Sequence, residues 1–135
     1  MNEFDHERLD VYRVALEFVV VAIDVAERMP KGRAYLADQL QRAATSIALN
    51  IAEGAGEFAS AEKARFYRIA RRSATESAAI LDVCRKLNLD EASLHAAGRE
   101  RLLRIVAMLV RLCRPGTGSG SGSGTGAPSD LSDGA

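Results

Sequence analysis

Apolar residues recur at alternating intervals of three and four along most of this chain. In the first predicted helix they are Leu9, Tyr12, Leu16, Val19, Ile23 and Ala26. This spacing places the side chains on one side of an α-helix, because a helix completes a turn in 3.6 residues. Aromatic residues make up only 5% of the chain, and Trp is absent. The core must therefore come from Leu, Ile, Val and Ala, which favours packed helices over sheets.

Breaks in this pattern predict four helices, over residues 6–28, 33–53, 60–87 and 91–113. Pro30 and Gly32 end the first helix, and Gly54 is predicted to end the second in the left-handed conformation. Ser60 and Asp90 are the predicted N-terminal caps of the third and fourth helices. A chain of 135 residues is the size of one domain. We therefore expect an all-α protein with one bundle over residues 1–115.

Residues 116–135 have a different composition and read GTGSGSGSGTGAPSDLSDGA. Such a segment buries too little apolar area to offset the entropy lost on ordering. It is predicted to be a flexible tail without fixed structure.

The first helix carries a second apolar stripe on another side, formed by Val11, Val14, Phe18, Val21 and Val25. Two stripes exceed what one side of a small bundle can cover. We therefore expect this helix to contact another subunit as well as its own core. The alternative is a central helix in a monomeric bundle.

The third helix has small residues in the middle of its apolar stripe. The full stripe is Phe66, Ala70, Ser73, Ser77, Ile80, Cys84 and Leu87. Small residues allow a neighbouring helix to approach closely, and the second helix offers an equally small region at Ala43, Ser46 and Asn50. On the fourth helix the predicted buried residues are Leu94, Leu102, Ile105, Val106, Leu109 and Cys113.

Polar side chains lie directly beside the apolar face of the second helix, within about 60° of one another at 100° per residue. Together with nearby polar residues they form a set that we call the polar seam: Gln39, Arg42, Ser46, Asn50, Glu53, Ser73 and Glu76. Glu76 needs a partner if it is buried, and the candidates are Arg42 and Arg72. The set could be a functional pocket. Buried polar groups between helices more often satisfy one another and fix helix register, and we favour that interpretation.

Arginines form two predicted exposed groups, together called the seven arginines. Arg65, Arg68 and Arg72 share one sector of the third helix with Arg71 adjacent, and Arg104, Arg111 and Arg114 lie on the fourth. The chain is neutral overall, but residues 1–30 hold seven carboxylates against three arginines, so the cations concentrate elsewhere. The seven arginines could bind a phosphate backbone in a salt-dependent manner. Alternatively, they are a solvated face that pairs with Glu62 and the acidic first helix. No aromatic residues alternate with them, so binding is expected to be sequence-tolerant or shape-based.

Other chemistry has little support in the sequence. His6, His95, Cys84 and Cys113 are scattered, without metal-ligand spacing, and no cofactor is expected. Both cysteines fall on apolar helix faces, and we interpret them as reduced core thiols. No catalytic set of acid, base or nucleophile is apparent, so we expect no enzyme activity. The N-terminus does not resemble a secretory signal and no apolar run approaches ~18 residues. We expect a cytoplasmic protein without membrane contact.

Two stretches, LADQLQRAATSIALNIAEGAG and FYRIARRSATES, closely resemble a bacterial family. They are similar to four-helix-bundle proteins encoded in intervening sequences of 23S ribosomal RNA genes. The Ser-Ile-x-x-Asn-Ile-Ala-Glu-Gly run is specific, and the resemblance covers nearly all of residues 9–113. Matching positions are Gln39, Arg42, Ser46, Asn50, Glu53, Gly54, Ser73 and Glu76. Gln41 stands where the family usually has Arg, and Arg72 stands where it has Gly.

The resemblance implies an up-down-up-down antiparallel bundle that assembles as a ring-like homopentamer. The chain also looks similar to accessory proteins of diversity-generating retroelements, which bind a reverse transcriptase and nucleic acid. No enzymatic activity can be transferred from the family. We therefore expect a non-enzymatic, self-associating bundle that acts as an accessory to RNA, DNA or a nucleic-acid enzyme. The alternative is a protein-interaction scaffold without nucleic-acid binding.

Overall fold

The computed structural model describes residues 2–114, which form a bundle of four long helices. The helices are α1 (Asp10–Glu27), α2 (Ala34–Ala55), α3 (Ser60–Lys86) and α4 (Ala92–Cys113), preceded by a 3₁₀ helix at Asp5–Arg8. The predicted tail over 116–135 lies outside the described residues, so its flexibility stays a prediction.

Each helix packs against the helices next to it in the chain, and α1 also packs against α4. The short connections make consecutive helices run in opposite directions. The expected all-α, up-down-up-down four-helix bundle is therefore the fold of the described residues. Within those residues no helix has the length and apolar run needed to cross a bilayer.

The core is mainly aliphatic, as the low aromatic content predicts. Its largest fully buried side chains are Phe18, Leu40, Ile47, Ile51, Leu81, Ile105 and Leu109. On α4 the predicted buried side is confirmed at Leu102, Ile105 and Leu109, whereas Leu94, Val106 and Cys113 are half-buried. On α3 the ring that enters the core is Tyr67, and the predicted Phe66 is only half-buried.

The two apolar stripes of α1 are buried to different extents within the single chain. Val11, Val14, Phe18 and Val25 face the core. On the other side Leu16, Val20 and Ile23 stay exposed, Val20 to 68%. We call these three residues the α1 strip. The packing of one chain therefore leaves an apolar surface on the outside of the bundle.

Helix ends differ from the predictions by a few residues. Leu9 is extended and separates the 3₁₀ helix from α1, where the sequence predicted one continuous helix. The Glu7 carboxylate accepts a hydrogen bond from the Phe4 backbone N–H at 2.8 Å, which closes this short first turn. Ser60 is the first residue of α3, and Ala59, not Ser60, occupies the N-cap position. This cap needs no side-chain hydrogen bond.

Asp90 has a different role from the predicted cap. Glu91 occupies the N-cap position of α4, and neither the Glu91 nor the Asp90 side chain makes a capping hydrogen bond there. The Asp90 side chain is 0% exposed and lies 3.6 Å from Arg85 Nε at the end of α3. The carboxylate thus joins the two helices across the turn, in which Asn88 adopts a positive φ of 56°.

The prediction that Gly54 ends α2 in a left-handed conformation is wrong. Gly54 lies inside α2, and the positive-φ residues of the described chain are Gly32 and Asn88. The glycine is required because the Tyr67 ring of α3 packs against it. A Cβ at this position would lie 2.7 Å from Tyr67 Cε1, closer than packed carbon atoms approach.

Lys63 of α3 closes the end of α2. Its Nζ donates hydrogen bonds to the carbonyl oxygens of Ala55 at 2.9 Å and Gly54 at 3.3 Å. The last carbonyls of a helix have no partner within the helix, and a cation there also complements the helix dipole. The end of α2 is therefore stabilised from the next helix.

Gly54→Ala should lower the free energy of unfolding by roughly 1–3 kcal/mol, because the added methyl group overpacks against Tyr67. This cost exceeds the gain in helix propensity of up to about 1 kcal/mol. Urea unfolding of the full chain measures the change. Gly56→Ala is the matched control, since its Cβ would meet nothing closer than 3.7 Å. Equal stability of the two variants would contradict the packing argument.

Candidate functional site

Three members of the polar seam form a hydrogen-bonded link between α2 and α3. Ser46 Oγ lies 2.8 Å from Ser73 Oγ across the interface. Asn50 Nδ2 donates to the Ser46 carbonyl oxygen at 2.9 Å and to Ser46 Oγ at 3.1 Å. Ser73 is buried, and Ser46 and Asn50 are half-buried. These groups satisfy one another in the contact between α2 and α3, as the structural interpretation of the seam predicts.

The other four members lie outside this link, which corrects the predicted extent of the seam. Gln39, Arg42, Glu53 and Glu76 are all exposed. Arg42 Nε pairs with Asp38 of its own helix at 2.9 Å and does not partner Glu76. The reason is geometric: the small residues at the centre bring α2 and α3 together over a narrow strip. Side chains only about 60° away on the helix already point to the outside.

An open groove of about 540 Å³ runs along the outer side of α2 beside the seam. Its lining residues are Gln41, Arg42, Thr45, Ser46, Leu49, Asn50 and Glu53. They provide a guanidinium group, a carboxylate, two amides and two hydroxyl groups around the exposed side chain of Leu49. The groove therefore offers hydrogen bonds and one charge of each sign.

Part of the set of seven arginines lies where the end of α4 meets the first turns of α3. Cys113 Sγ lies 4.0 Å from the carbonyl oxygen of Ala64, which places the end of α4 beside the first turns of α3. Burial raises the pKa of the Cys113 thiol, while the nearby guanidinium groups of Arg68 and Arg71 act in the opposite direction. Arg68 and Arg71 of α3 thus lie near the C-terminal end of α4.

Some of the seven arginines form ion pairs with carboxylates of the described residues, and others do not. Arg65 Nη2 lies 3.3 Å from Glu62, and Arg104 Nη1 lies 3.6 Å from Glu100. The ion pairs found within residues 2–114 include none for Arg68, Arg72 or Arg111. Arg72 and Arg111 are exposed, as are Arg104 and Arg114, and Arg68 and Arg71 are half-buried. Part of the surface therefore carries positive charge that no carboxylate of the described chain pairs with.

Within residues 2–114, the acidic side chains of α1 form no ion pair with any of the seven arginines. Asp10 and Asp24 of α1 pair with Arg13 and Arg28 of the same helix, at 3.2 Å and 2.9 Å. Glu17 of α1 reaches α4, but at Arg101, at 3.5 Å. The ion pairs of α1 thus involve arginines outside the set of seven.

Phe58 is a surface residue that the apolar pattern of the sequence did not single out. It lies in the loop between α2 and α3 and its side chain is fully exposed, at 101%. The sequence carried a weak signal, because Phe58 falls between Gly56 and Ser60 and outside every apolar stripe. Exposure of a loop residue depends on packing that the stripe pattern does not report.

The remaining candidates for chemistry are separate from one another. Cys84 is buried, and burial raises the pKa of its thiol. His95 Nε2 lies 3.5 Å from Asp82. In the part of the chain that the structure describes, no three His, Cys, Asp or Glu side chains cluster as metal ligands would.

Comparison with known proteins identifies one family. The family described as 23S rRNA-intervening sequence protein matches residues 7–111, which is well over half of the chain. The matched region begins in the 3₁₀ helix and ends in the last turn of α4. The chain matches none of the curated proteins with which it was compared.

Asn50→Leu should destabilise the bundle by about 1 kcal/mol, because the Ser46 carbonyl and hydroxyl oxygens lose the hydrogen bonds that Asn50 Nδ2 donates to them. The loss should also loosen helix register and so weaken specific assembly. Urea unfolding and light scattering of the full chain measure the two effects. Thr45→Ala is a control on the exposed side of the same helix. A variant with the melting behaviour and oligomer mass of the wild type would refute the assignment.

Proposed function

The chain belongs to the family of 23S rRNA-intervening sequence proteins, and on that basis we propose that it is a non-enzymatic, self-associating bundle that binds nucleic acid. Its partner would be RNA or DNA, alone or in complex with a nucleic-acid enzyme. The observation that carries this proposal is the positive charge on α3 and α4, which we call the arginine surface: Arg68, Arg72 and Arg111 have no ion-pair partner among the described residues.

Unpaired guanidinium groups are suited to phosphate. Each can donate two parallel hydrogen bonds to phosphate oxygens and keeps its charge at any physiological pH. The solvated-face alternative requires these arginines to be neutralised by Glu62 and by α1. Glu62 pairs with Arg65, and three of the four acids of α1, Asp10, Glu17 and Asp24, pair with Arg13, Arg28 and Arg101. The charge distribution therefore favours an anionic partner.

Self-association is supported by the α1 strip. Leu16, Val20 and Ile23 are exposed on one side of α1, and exposed apolar surface of this kind marks protein contacts. A cyclic assembly would repeat the arginine surface around a ring and multiply its phosphate contacts. The sequence resemblance implies five copies, and pentamer formation is part of the proposal.

A protein-interaction scaffold is the second candidate. The groove on α2 supports it, because Leu49 is 60% exposed there and Arg42 and Glu53 offer both charges to a peptide. In that case the arginine surface would not be required for partner binding.

Reversal of charge at Arg72 and Arg111 should weaken binding of RNA or DNA at low salt by roughly tenfold or more. The slope of log K against log salt should also fall by about 2, since each phosphate contact contributes about 0.9. Fluorescence anisotropy with labelled oligonucleotides at several salt concentrations measures both. Both residues are exposed, so Arg72→Glu with Arg111→Glu should leave the fold intact.

Arg42→Glu with Arg13→Glu is the matched control. It makes the same change in net charge at two exposed sites on α1 and α2. Equal losses in both double variants would point to net charge alone. Absence of binding by the wild type at low salt would favour the scaffold.

Val20→Glu should reduce the oligomer mass, because a carboxylate in the α1 strip would lose its hydration in a subunit contact. Val20 is already 68% exposed, so the bundle itself should keep its stability. Light scattering and thermal unfolding measure the two. Leu103→Glu, at an exposed residue of α4, serves as the control. A monomeric wild-type chain would remove self-association from the proposal.

A further inference from the structure

An exposed aromatic ring lies in the loop that leads into α3, the helix that carries four of the seven arginines. Phe58 is 101% exposed, so its ring makes no packing contact that shields it from water. Phe4, the other largely exposed Phe, stacks on His6 at 5.7 Å between ring centres. Phe58 has no ring contact of this kind among the described residues. The fold therefore leaves both faces of its ring available to a ligand.

The position of Phe58 relates it to the arginines of α3. The residue precedes the first residue of the helix, Ser60, by two positions. At 1.5 Å per residue, Arg65, Arg68 and Arg72 follow at about 8, 12 and 18 Å from the helix start. Lys63 Nζ holds this start of α3 against the end of α2 through two hydrogen bonds. The ring thus stands at one end of a row of cations on an anchored helix.

The Arg65 side chain lies over an aromatic ring near the start of α3. Its guanidinium carbon lies 4.6 Å from the centre of the Phe66 ring. A guanidinium group that lies over one aromatic ring keeps its other side free for a second contact. The start of α3 therefore offers two flat elements, the Phe58 ring and the Arg65 guanidinium group, beside the cations.

We propose that Phe58 and the outer arginines of α3 form a site for an unpaired nucleobase and its flanking phosphates, so that the chain selects single-stranded over double-stranded nucleic acid. A base would stack on Phe58, and the phosphates that follow would run past Arg65, which pairs with Glu62, to Arg68 and Arg72. Stacking platforms beside cationic tracks are how proteins hold single strands without reading sequence. A paired base inside a duplex has no free face to offer the ring. This inference rests on the proposed nucleic-acid function and names the form of nucleic acid.

Phe58 changes one expectation from the sequence. Arginines without alternating aromatic residues predicted binding by charge or shape alone. Phe58 is not between the arginines in sequence, but the end of α2 and the start of α3 bring its loop to their end of the helix. Binding remains sequence-tolerant, since every base has an aromatic face.

The test compares binding of three probes by the full chain: twelve-nucleotide oligouridine, twelve-nucleotide oligoadenosine and a duplex with the same number of phosphates. Phe58→Ala should weaken binding of both single strands by about 5- to 100-fold. Binding of the duplex should change by less than about twofold. Because no charge is removed, the salt dependence should keep its slope.

Two further variants sharpen the test. Tyr35→Ala removes another exposed ring, from the first turn of α2 at the opposite end of the bundle, and should leave all three affinities unchanged. Phe58→Trp should keep single-strand binding. Since the chain contains no other Trp, its fluorescence should change on addition of the single strands.

The outcomes separate the stacking site from the proposed function. If the wild type binds the probes and Phe58→Ala binds them equally well, the stacking site is refuted and the arginine surface stands. Binding of the duplex alone would likewise refute the stacking site and leave the arginine surface in place. If the wild type binds no probe at low salt, both proposals fail, and Phe58 becomes a candidate contact for a protein.

Discussion

The structure depends on the close approach of α2 and α3. Two contacts allow it: Ser46 meets Ser73 through their hydroxyl groups, and the Tyr67 ring lies directly on Gly54. Because Ser46, Ser73 and Gly54 are small, little space separates the helices, and each polar group there must find a partner inside the contact. Lys63 then ties the start of α3 to the last carbonyls of α2. This pair of helices fixes where the α2–α3 loop lies, and with it the position of Phe58 and the first arginines of α3.

The chain is neutral overall, but it carries a local excess of positive charge on α3 and α4. Asp10, Glu17 and Asp24 of α1 pair with Arg13, Arg101 and Arg28, and Glu62 and Glu100 each pair with one of the seven arginines. Arg68, Arg72 and Arg111 have no such partner in the described chain. The exposed apolar residues of the α1 strip lie on a different helix from these arginines, on the outside of α1. One bundle thus presents an apolar side and a basic side on different helices, which allows self-association and anion binding to occur together.

Much of the fold followed from local patterns, and the site followed less well. Apolar spacing of three and four predicted all four helices within a few residues of their ends, since helix periodicity is a property of each segment alone. Of the predicted seam, Ser46, Asn50 and Ser73 form a hydrogen-bonded link between α2 and α3. Gln39, Arg42, Glu53 and Glu76 are exposed, because the angle around one helix does not tell how far its neighbour covers it. Gly54 was predicted to end α2. A glycine is instead needed there because the Tyr67 ring of α3 packs against it.

The sequence by itself determined an all-α fold, four helices and a surplus of arginine in the second half, since periodicity, turn residues and charge are all readable along the chain. The family followed from the Ser-Ile-x-x-Asn-Ile-Ala-Glu-Gly run. Only the tertiary structure decided which stripe of α1 enters the core, which arginines keep free charge and which aromatic ring faces solvent beside them. The physical reason is that burial and ion pairing depend on what each neighbouring helix covers, and that arrangement exists only once the four helices pack together.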